Sequence, residues 1–383
     1  MARMSEYYRG KRKKRNRILI PAAILLGLLS LAVVLFYGMQ KYAVITKDSV
    51  RIRPPLLGES ETGEELGPVD ERGALETTEA QIVFDEPDFS EVEQRSLGRL
   101  QPLRAIFVKA DEIYPEKIEE YAARLMVGNA LVLEMKPKSG VMKWDSKAWS
   151  ATAFSLAGDP LSAEMRALIA KLKTPSESKP NGVYLVAQIS ICRDELYGSR
   201  STVVALRNDA GFNYMDEGGL WLDAYSLDLR DYTVSMVREL YALGFDEVVL
   251  ADVAHPVLPE GTTVQYCREM STTPNPTNAV CGFALSVAEE LEERDGKLSI
   301  YVDSQTALIG HDSANGQDGM LFFKLFDRVY FNTDRYAYTF NLADLQGRPV
   351  KGSLSERFVP VVINYLPDNP DKISWVLIDT ETH

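Results

Sequence analysis

Eight short, almost unbroken apolar runs recur along the chain from about residue 99. They are AIFVKA (105–110), ALVLEMK (130–136), GVYLVAQISI (182–191), EVVLADV (247–253), LSIYVD (298–303), RVYFNT (328–333), RFVPVVIN (357–364) and SWVLID (374–379). Several of the intervals between them hold helical patterns: PEKIEEYAARLM (115–126), LSAEMRALIAKLK (161–173), DLRDYTVSMVRELYALG (228–244) and TNAVCGFALSVAEELEER (277–294). Each places apolar residues three and four apart and charges on the other face. Strands that are apolar on both faces suit a parallel sheet covered on both sides. Eight alternations over residues 99–383 predict an α/β fold, a (β/α)8 TIM-like barrel. The linker YLPDNPDK between the last two strands is too short for a full helix, so the closing units are expected to be irregular. An open doubly wound sheet would want a glycine-rich phosphate turn after its first strand, and FVKADEIYP has none.

The chain ahead of residue 99 has a different pattern. Residues 18–39, ILIPAAILLGLLSLAVVLFYGM, carry no charge, and a run of that length crosses a hydrocarbon layer of ~30 Å. It is too long for the apolar core of a cleaved signal peptide. Residues 1–17 hold eight Arg or Lys and one Glu, which sets the N-terminus in the cytoplasm by the positive-inside rule. The expectation is a single-pass membrane anchor with the C-terminal body extracellular. Residues 40–56 follow as a juxtamembrane segment with at best a short hairpin. Residues 57–96 carry thirteen Asp or Glu against two Arg, so 57–98 reads as a disordered acidic spacer, extended by self-repulsion.

Charge and cysteine usage narrow the function. The whole chain has a formal net charge of −13; the basic tip contributes +7, so the remainder carries −20. An acidic body argues against nucleic acid as a partner. Three cysteines (Cys192, Cys267, Cys281) make no disulfide framework, although Cys267 and Cys281 flank one loop and an oxidising exterior would allow them to pair. Three histidines (His255, His311, His383) show no metal-ligand spacing, so neither a metal nor another cofactor is expected.

A barrel of this kind keeps its chemistry at the carboxyl ends of its strands. Those ends carry Glu134, Lys136, Asp194, Asp252, Asp303, Asp334 and Asp379. A ring of carboxylates without ligand histidines suits glycoside hydrolysis, in which one carboxylic acid protonates the leaving oxygen and a second carboxylate attacks or activates water. Trp144, Trp149, Trp221, Tyr225, Tyr336 and Tyr338 lie in the same loops and could stack on sugar faces. The plainer reading of each acid is a helix cap or a loop residue. Ser226 reads as the cap of the helix at 228–244, and His255 as a loop histidine bonded to backbone.

Taken together, these residues resemble a bacterial glycoside-hydrolase-like barrel family long catalogued as a domain of unknown function. The resemblance covers roughly residues 99–380. A VIDVK-like motif with a following Gly is matched by VLEMKPKSG, with Glu134 at the acidic position and Lys136 in place. An ARIVVFKD-like strand is matched by AQISICRD, which keeps Asp194 and has Gln188 for Arg. A WVDPYS-like segment is matched by WLDAYS, with Trp221, Asp223, Tyr225 and Ser226, and a GQD by Gly316, Gln317 and Asp318. The fourth strand, GFDEVVLADVAHP (244–256), is similar to a GFDEIQFDYVRFP pattern. That alignment sets the family's strand-end Asp, its catalytic carboxylate, on Ala251 and the following Tyr on Asp252. Alternation along a strand then points Ala251, Val249 and Val253 into the barrel and Asp252 at the helices, unless a bulge turns it inward.

The resemblance implies a glycoside-hydrolase-like protein that acts on or binds a cell-wall or environmental glycan, and the uncharged run at 18–39 sets it on a membrane. Glu134, Asp252 and Asp303 are the candidate catalytic residues. Lys136, Asp194, Trp221, Asp223, Tyr225, His255 and Gln317 are candidates for substrate binding. Loss of the strand-four acid also suits a degenerate barrel that only holds sugar, or an envelope scaffold, and fold alone does not choose among the three.

Overall fold

The computed structural model describes residues 43–46, 49–52, 89, 92–95, 98–125, 128–177, 179–267, 275–332, 353–367 and 369–380. The chain divides into two compact units, 1–79 and 80–383. In the first, Ala43–Thr46 pairs antiparallel with Ser49–Ile52, Ala43 opposite Ile52. The expected basic tip, apolar anchor and most of the acidic spacer lie outside the described residues. Among the described residues, no helix is long and apolar enough to cross a membrane.

The second unit is a closed parallel barrel of eight strands in sequential order: β1 (Arg104–Val108), β2 (Ala130–Lys136), β3 (Tyr184–Ser190), β4 (Glu247–Ala251), β5 (Lys297–Val302), β6 (Val329–Asn332), β7 (Phe358–Ile363) and β8 (Trp375–Ile378). Each falls on one of the eight apolar runs. The helices between them are α1 (Pro115–Ala123), α2 (Trp149–Ala153), α3 (Ala163–Lys173), α4 (Glu195–Arg200), α5 (Leu227–Ala242), α6 (Pro276–Glu290), α7 (Ser304–Ile309), α8 (Gly319–Leu325) and α9 (Leu354–Arg357). The last turn of the barrel is irregular as expected: among the described residues no helix separates β7 from β8.

Period-two alternation divides the strand side chains between two cores. Ala130, Val132, Val186, Val249, Val359, Val361 and Val376 fill the barrel interior. Their neighbours Leu131, Leu133, Leu185, Val248 and Leu250 face the helices. Ala251 therefore continues the inward row of Val249. Helix boundaries follow local chemistry. Ser226 caps α5 by accepting the Leu229 N–H (3.3 Å), and Gly244, at φ +102°, takes the left-handed turn from that helix into β4. Phe89 and Val92, which composition placed in the spacer, pack against the outer core, and Arg95 N–H donates to the Lys324 carbonyl (3.0 Å).

The floor of the barrel is polar. Glu247 is fully buried and ion-paired to Arg328. It also accepts hydroxyl hydrogen bonds from Ser299 (2.7 Å), Tyr330 (2.7 Å) and Tyr184 (3.0 Å). Arg328 in turn donates to the carbonyls of Glu356 (3.0 Å) and Gln101 (2.9 Å). Every charge and hydroxyl in this network has a partner, the condition under which a buried ion pair is tolerated.

Candidate active site

The carboxyl ends of β2, β3, β4 and β5 converge on one side of the barrel mouth. Glu134 stands on the inward row of β2, above Val132. Its carboxylate accepts the Ala110 N–H (3.0 Å). Immediately after it the pairing with β3 slips by one residue, Glu134 lying opposite Gln188 and Lys136 opposite Ile189.

Asp252 does not follow the alternation that the sequence implies. It is the first residue past β4 and takes a left-handed backbone, φ +55°. That conformation is rare outside Gly and tolerated best by Asn and Asp. It swings the carboxylate away from the helices, so that Oδ2 accepts the Ser190 hydroxyl (2.6 Å) and Oδ1 meets the Lys138 ammonium (3.2 Å). The expectation that Asp252 faces the helices is therefore corrected: the rotation occurs at one residue, with no extra residue inserted in the strand. A carboxylate thus returns to the mouth although the inward position, 251, is Ala.

The charge of Asp252 acts on Glu134. Burial pushes the Glu134 carboxyl above its ordinary value, and the charges of Asp111 and Asp252 add to this; the Ala110 hydrogen bond and Lys138 oppose it. The signs give a prediction. Lys138→Met removes an opposing charge, so Glu134 titrates at higher pH; Asp252→Asn removes a raising charge, so it titrates at lower pH. Carbon-detected NMR of the side-chain carboxyl reads both shifts.

The other expected residues are placed as follows. Asp303 is exposed at the end of β5, and its backbone N–H donates to Gln317 Oε1 (2.9 Å). Gln317 is buried and also donates to the Val253 carbonyl (2.9 Å), so its amide ties the end of β4 to the end of β5. Lys136 and Asp194 form a buried ion pair (2.7 Å) under the site. Lys136 also donates to the Ser190 carbonyl, and Asp194 caps α4 through the Tyr197 N–H (2.8 Å). Asp223 is fully buried and accepts the N–H groups of Tyr225 (2.8 Å) and Cys267 (2.7 Å). Tyr225 donates its hydroxyl to the Asn275 carbonyl (3.1 Å). Trp221 is buried beneath the Arg193 guanidinium, 4.2 Å from its ring, and its Nε1 donates to Asp216 (2.8 Å). His255 is buried, bonded to the Pro256 carbonyl (2.8 Å) and to the Tyr266 hydroxyl (3.1 Å), and burial lowers its pKa. These side chains brace the loops behind the mouth, and the structure brings Asp252 within electrostatic reach of Glu134, with Asp303 at the end of the neighbouring strand β5.

Asp379 is paired with Arg124. Trp144 is buried and bonded to Glu239 (2.8 Å), whereas Trp149 is 71% exposed. Asp334, Tyr336 and Tyr338 lie outside the described residues. None of the three cysteines is in a disulfide, and the Cys281 thiol donates to the Gly316 carbonyl (3.5 Å). Among the described residues no group of acids, histidines and cysteines is arranged to hold a metal ion.

Gly140 closes the loop behind the site at φ +81°. A Cβ there would lie 2.0 Å from Asp194 Oδ1 and 2.8 Å from the Leu196 side chain. Gly140→Ala is therefore expected to destabilise the barrel by more than about 1 kcal/mol, measured by urea unfolding.

Sequence reasoning missed Lys138, Ser190 and Tyr301. Tyr301 was legible, because it lies inside the run LSIYVD near the carboxyl end of β5 and shares the face of Ser299 two residues earlier. Lys138 belongs to a loop whose path no periodicity gives.

The solved structures similar to this chain are distant. The glycoside hydrolase domain of PgaB from Bordetella bronchiseptica is 13% identical, with 72% of this chain and 94% of that one covered and a TM-score of 0.46. A hypothetical protein from Ruminiclostridium thermocellum is 16% identical (51% and 96% covered, TM-score 0.41). Aspergillus fumigatus Ega3, in complex with galactosamine, is 10% identical (75% and 95%, TM-score 0.40). Likenesses this remote decide nothing about the chemistry. No curated protein matches the sequence. The model of the family described as "Putative glycosyl hydrolase domain" matches residues 110–329, a span that holds Glu134, Asp252, Asp303 and the whole of β2 to β5. With more than half of its length in that match, the chain belongs to this glycosyl hydrolase family.

Proposed function

We propose that the barrel is a glycoside hydrolase whose acid is Glu134 and whose second carboxylate is Asp252, held outside the membrane by residues 18–39 and acting on a cell-wall or environmental glycan. The observation that carries this reading is the left-handed Asp252, which brings its carboxylate to the mouth within the electrostatic reach of Glu134. A carboxyl raised by burial keeps its proton for the leaving oxygen, and the ionised partner stabilises positive charge at the anomeric carbon or activates water. Asp303, exposed at the next strand end, is placed to hold a sugar hydroxyl. The anchor and its orientation rest on the uncharged run at 18–39 and the basic flank before it.

A second reading is a barrel that holds sugar without cutting it. It is favoured by Ala251 on the inward row and by the Lys138 ammonium on Asp252, which a reacting carboxylate would have to share. The test uses residues 80–383 with peptidoglycan, chitin, cellulose and xylan, measuring new reducing ends and binding. Cleavage of any one supports the hydrolase; binding without cleavage supports the second reading; neither result removes both.

A further inference from the structure

Among the described residues, Tyr184, Tyr301 and Tyr330 point into the barrel lumen. Two of them, at the floor, donate their hydroxyls to Glu247. The third differs. Tyr301 packs its ring on the interior cluster at the level of the mouth, yet its hydroxyl makes no hydrogen bond among the described residues and is open to solvent rather than sealed in the core. A tyrosine that is mostly enclosed normally finds a partner for that group.

Its surroundings show what the partner would be. The β4–β5 register, Ser299 opposite Val249 and Ile300 opposite Leu250, carries Tyr301 level with Ala251. Ala251 in turn lies opposite Ser190, whose hydroxyl holds Asp252. The inward rung is therefore Ser190, Ala251, Tyr301, and the methyl of Ala251 is its smallest member. Burial first, and then the charges of Asp252 and Asp303, push the Tyr301 phenol above its ordinary value. The group is a neutral donor throughout the physiological range, beside the small side chain and below the carboxylates.

We propose that Tyr301 is a substrate-contacting residue of this mouth, its phenolic O–H donating to an oxygen of the sugar ring bound against Asp252. The inference rests on the glycan reading above and adds the group that would hold the sugar on the side where the strand-four acid is missing. A site that offers a donor to one oxygen discriminates against sugars lacking that oxygen.

The test compares the parent with Tyr301→Phe, which keeps the packed ring and removes only the hydroxyl. Both are assayed for reducing ends on peptidoglycan, chitin, cellulose and xylan. On whichever glycan the parent cuts, kcat/KM is expected to fall about tenfold, the loss of one neutral hydrogen bond. The melting temperature and the alkaline limb of the pH profile stay where they were. If the parent binds but does not cut, the dissociation constant replaces kcat/KM with the same expectation. Parental kcat/KM or affinity in Tyr301→Phe would overturn the assignment and leave the glycan reading intact. A loss matched by a lower melting temperature would also overturn it, as a packing role. A parent that neither binds nor cuts any of the four would overturn the glycan reading, and Tyr301 with it.

Discussion

Glu134→Gln is expected to lower hydrolysis by about 10²- to 10⁴-fold, the usual worth of a positioned general acid, and to raise the melting temperature at pH 7. Both effects have one cause. The Glu134 carboxyl is raised by burial first, then by Asp111 and Asp252. A group whose folded value lies above its unfolded value contributes stability that is fully present below the unfolded value and is lost as pH rises through the folded one. At pH 7 the ionised carboxylate is the unfavourable form in this setting. An amide of the same shape still accepts the Ala110 N–H and carries no charge. The gain in melting temperature should therefore be largest near neutrality and vanish at about pH 3, below the ordinary carboxyl range. Activity in the parent should fall on the alkaline side as Glu134 loses its proton. Calorimetry across pH, beside the reducing-end assay, checks both halves. A variant that loses activity and also stability at pH 7 would mean that the ionised carboxylate holds the mouth together.

The second large effect is expected at the opposite end of the barrel. Arg328→Ala should cost about 3–5 kcal/mol, the penalty for leaving a buried charge without its partner. Glu247 is fully buried, and removal of the guanidinium leaves its carboxylate with three hydroxyls and no cation. The Gln101 carbonyl loses its donor as well, and the Glu356 carbonyl keeps only the Ser374 hydroxyl. The pair holds β4 to β6 across the lumen, so the loss should appear as global unfolding in urea. Arg328→Met combined with Glu247→Leu should recover part of the stability, because a matched apolar pair removes both charges. Recovery stays incomplete while the Tyr184, Tyr330 and Ser299 hydroxyls lack an acceptor for their protons. A single Arg328→Ala that unfolds at the parental urea concentration would contradict the network described here.

The barrel was legible because each strand is buried on both faces, and the apolar runs carry that requirement in plain form. The irregular closure was legible from YLPDNPDK, which has no room for a helix. The site was legible only in outline. Strand-end position says that a side chain is near the mouth; it does not say which way the side chain turns or what meets it. Asp194 and Lys136 meet each other under the site. Trp221 is taken by Arg193 and Asp216, and Asp223 by the backbone of Cys267, forty-four residues further on. Apart from Lys136, the last residue of β2, those partners lie outside the barrel strands and share no periodicity with them. Asp252 was misread because one left-handed residue reverses the face of a side chain, and Asp is among the few types that enter that conformation at low cost. Alternation is a sound rule inside β4, where Val249 and Ala251 obey it, and it ends with the strand.

The central claim is that Asp252 has replaced the carboxylate that position 251 lacks. The most direct measurement is the release of reducing ends by the parent and by Asp252→Asn, on the glycan that the parent cuts best. The account predicts that Asp252→Asn loses at least about a hundredfold in rate, with an unchanged fold by circular dichroism. An Asp252→Asn variant that cuts at the parental rate would contradict it, and would leave the left-handed aspartate as nothing more than the anchor of Ser190 and Lys138.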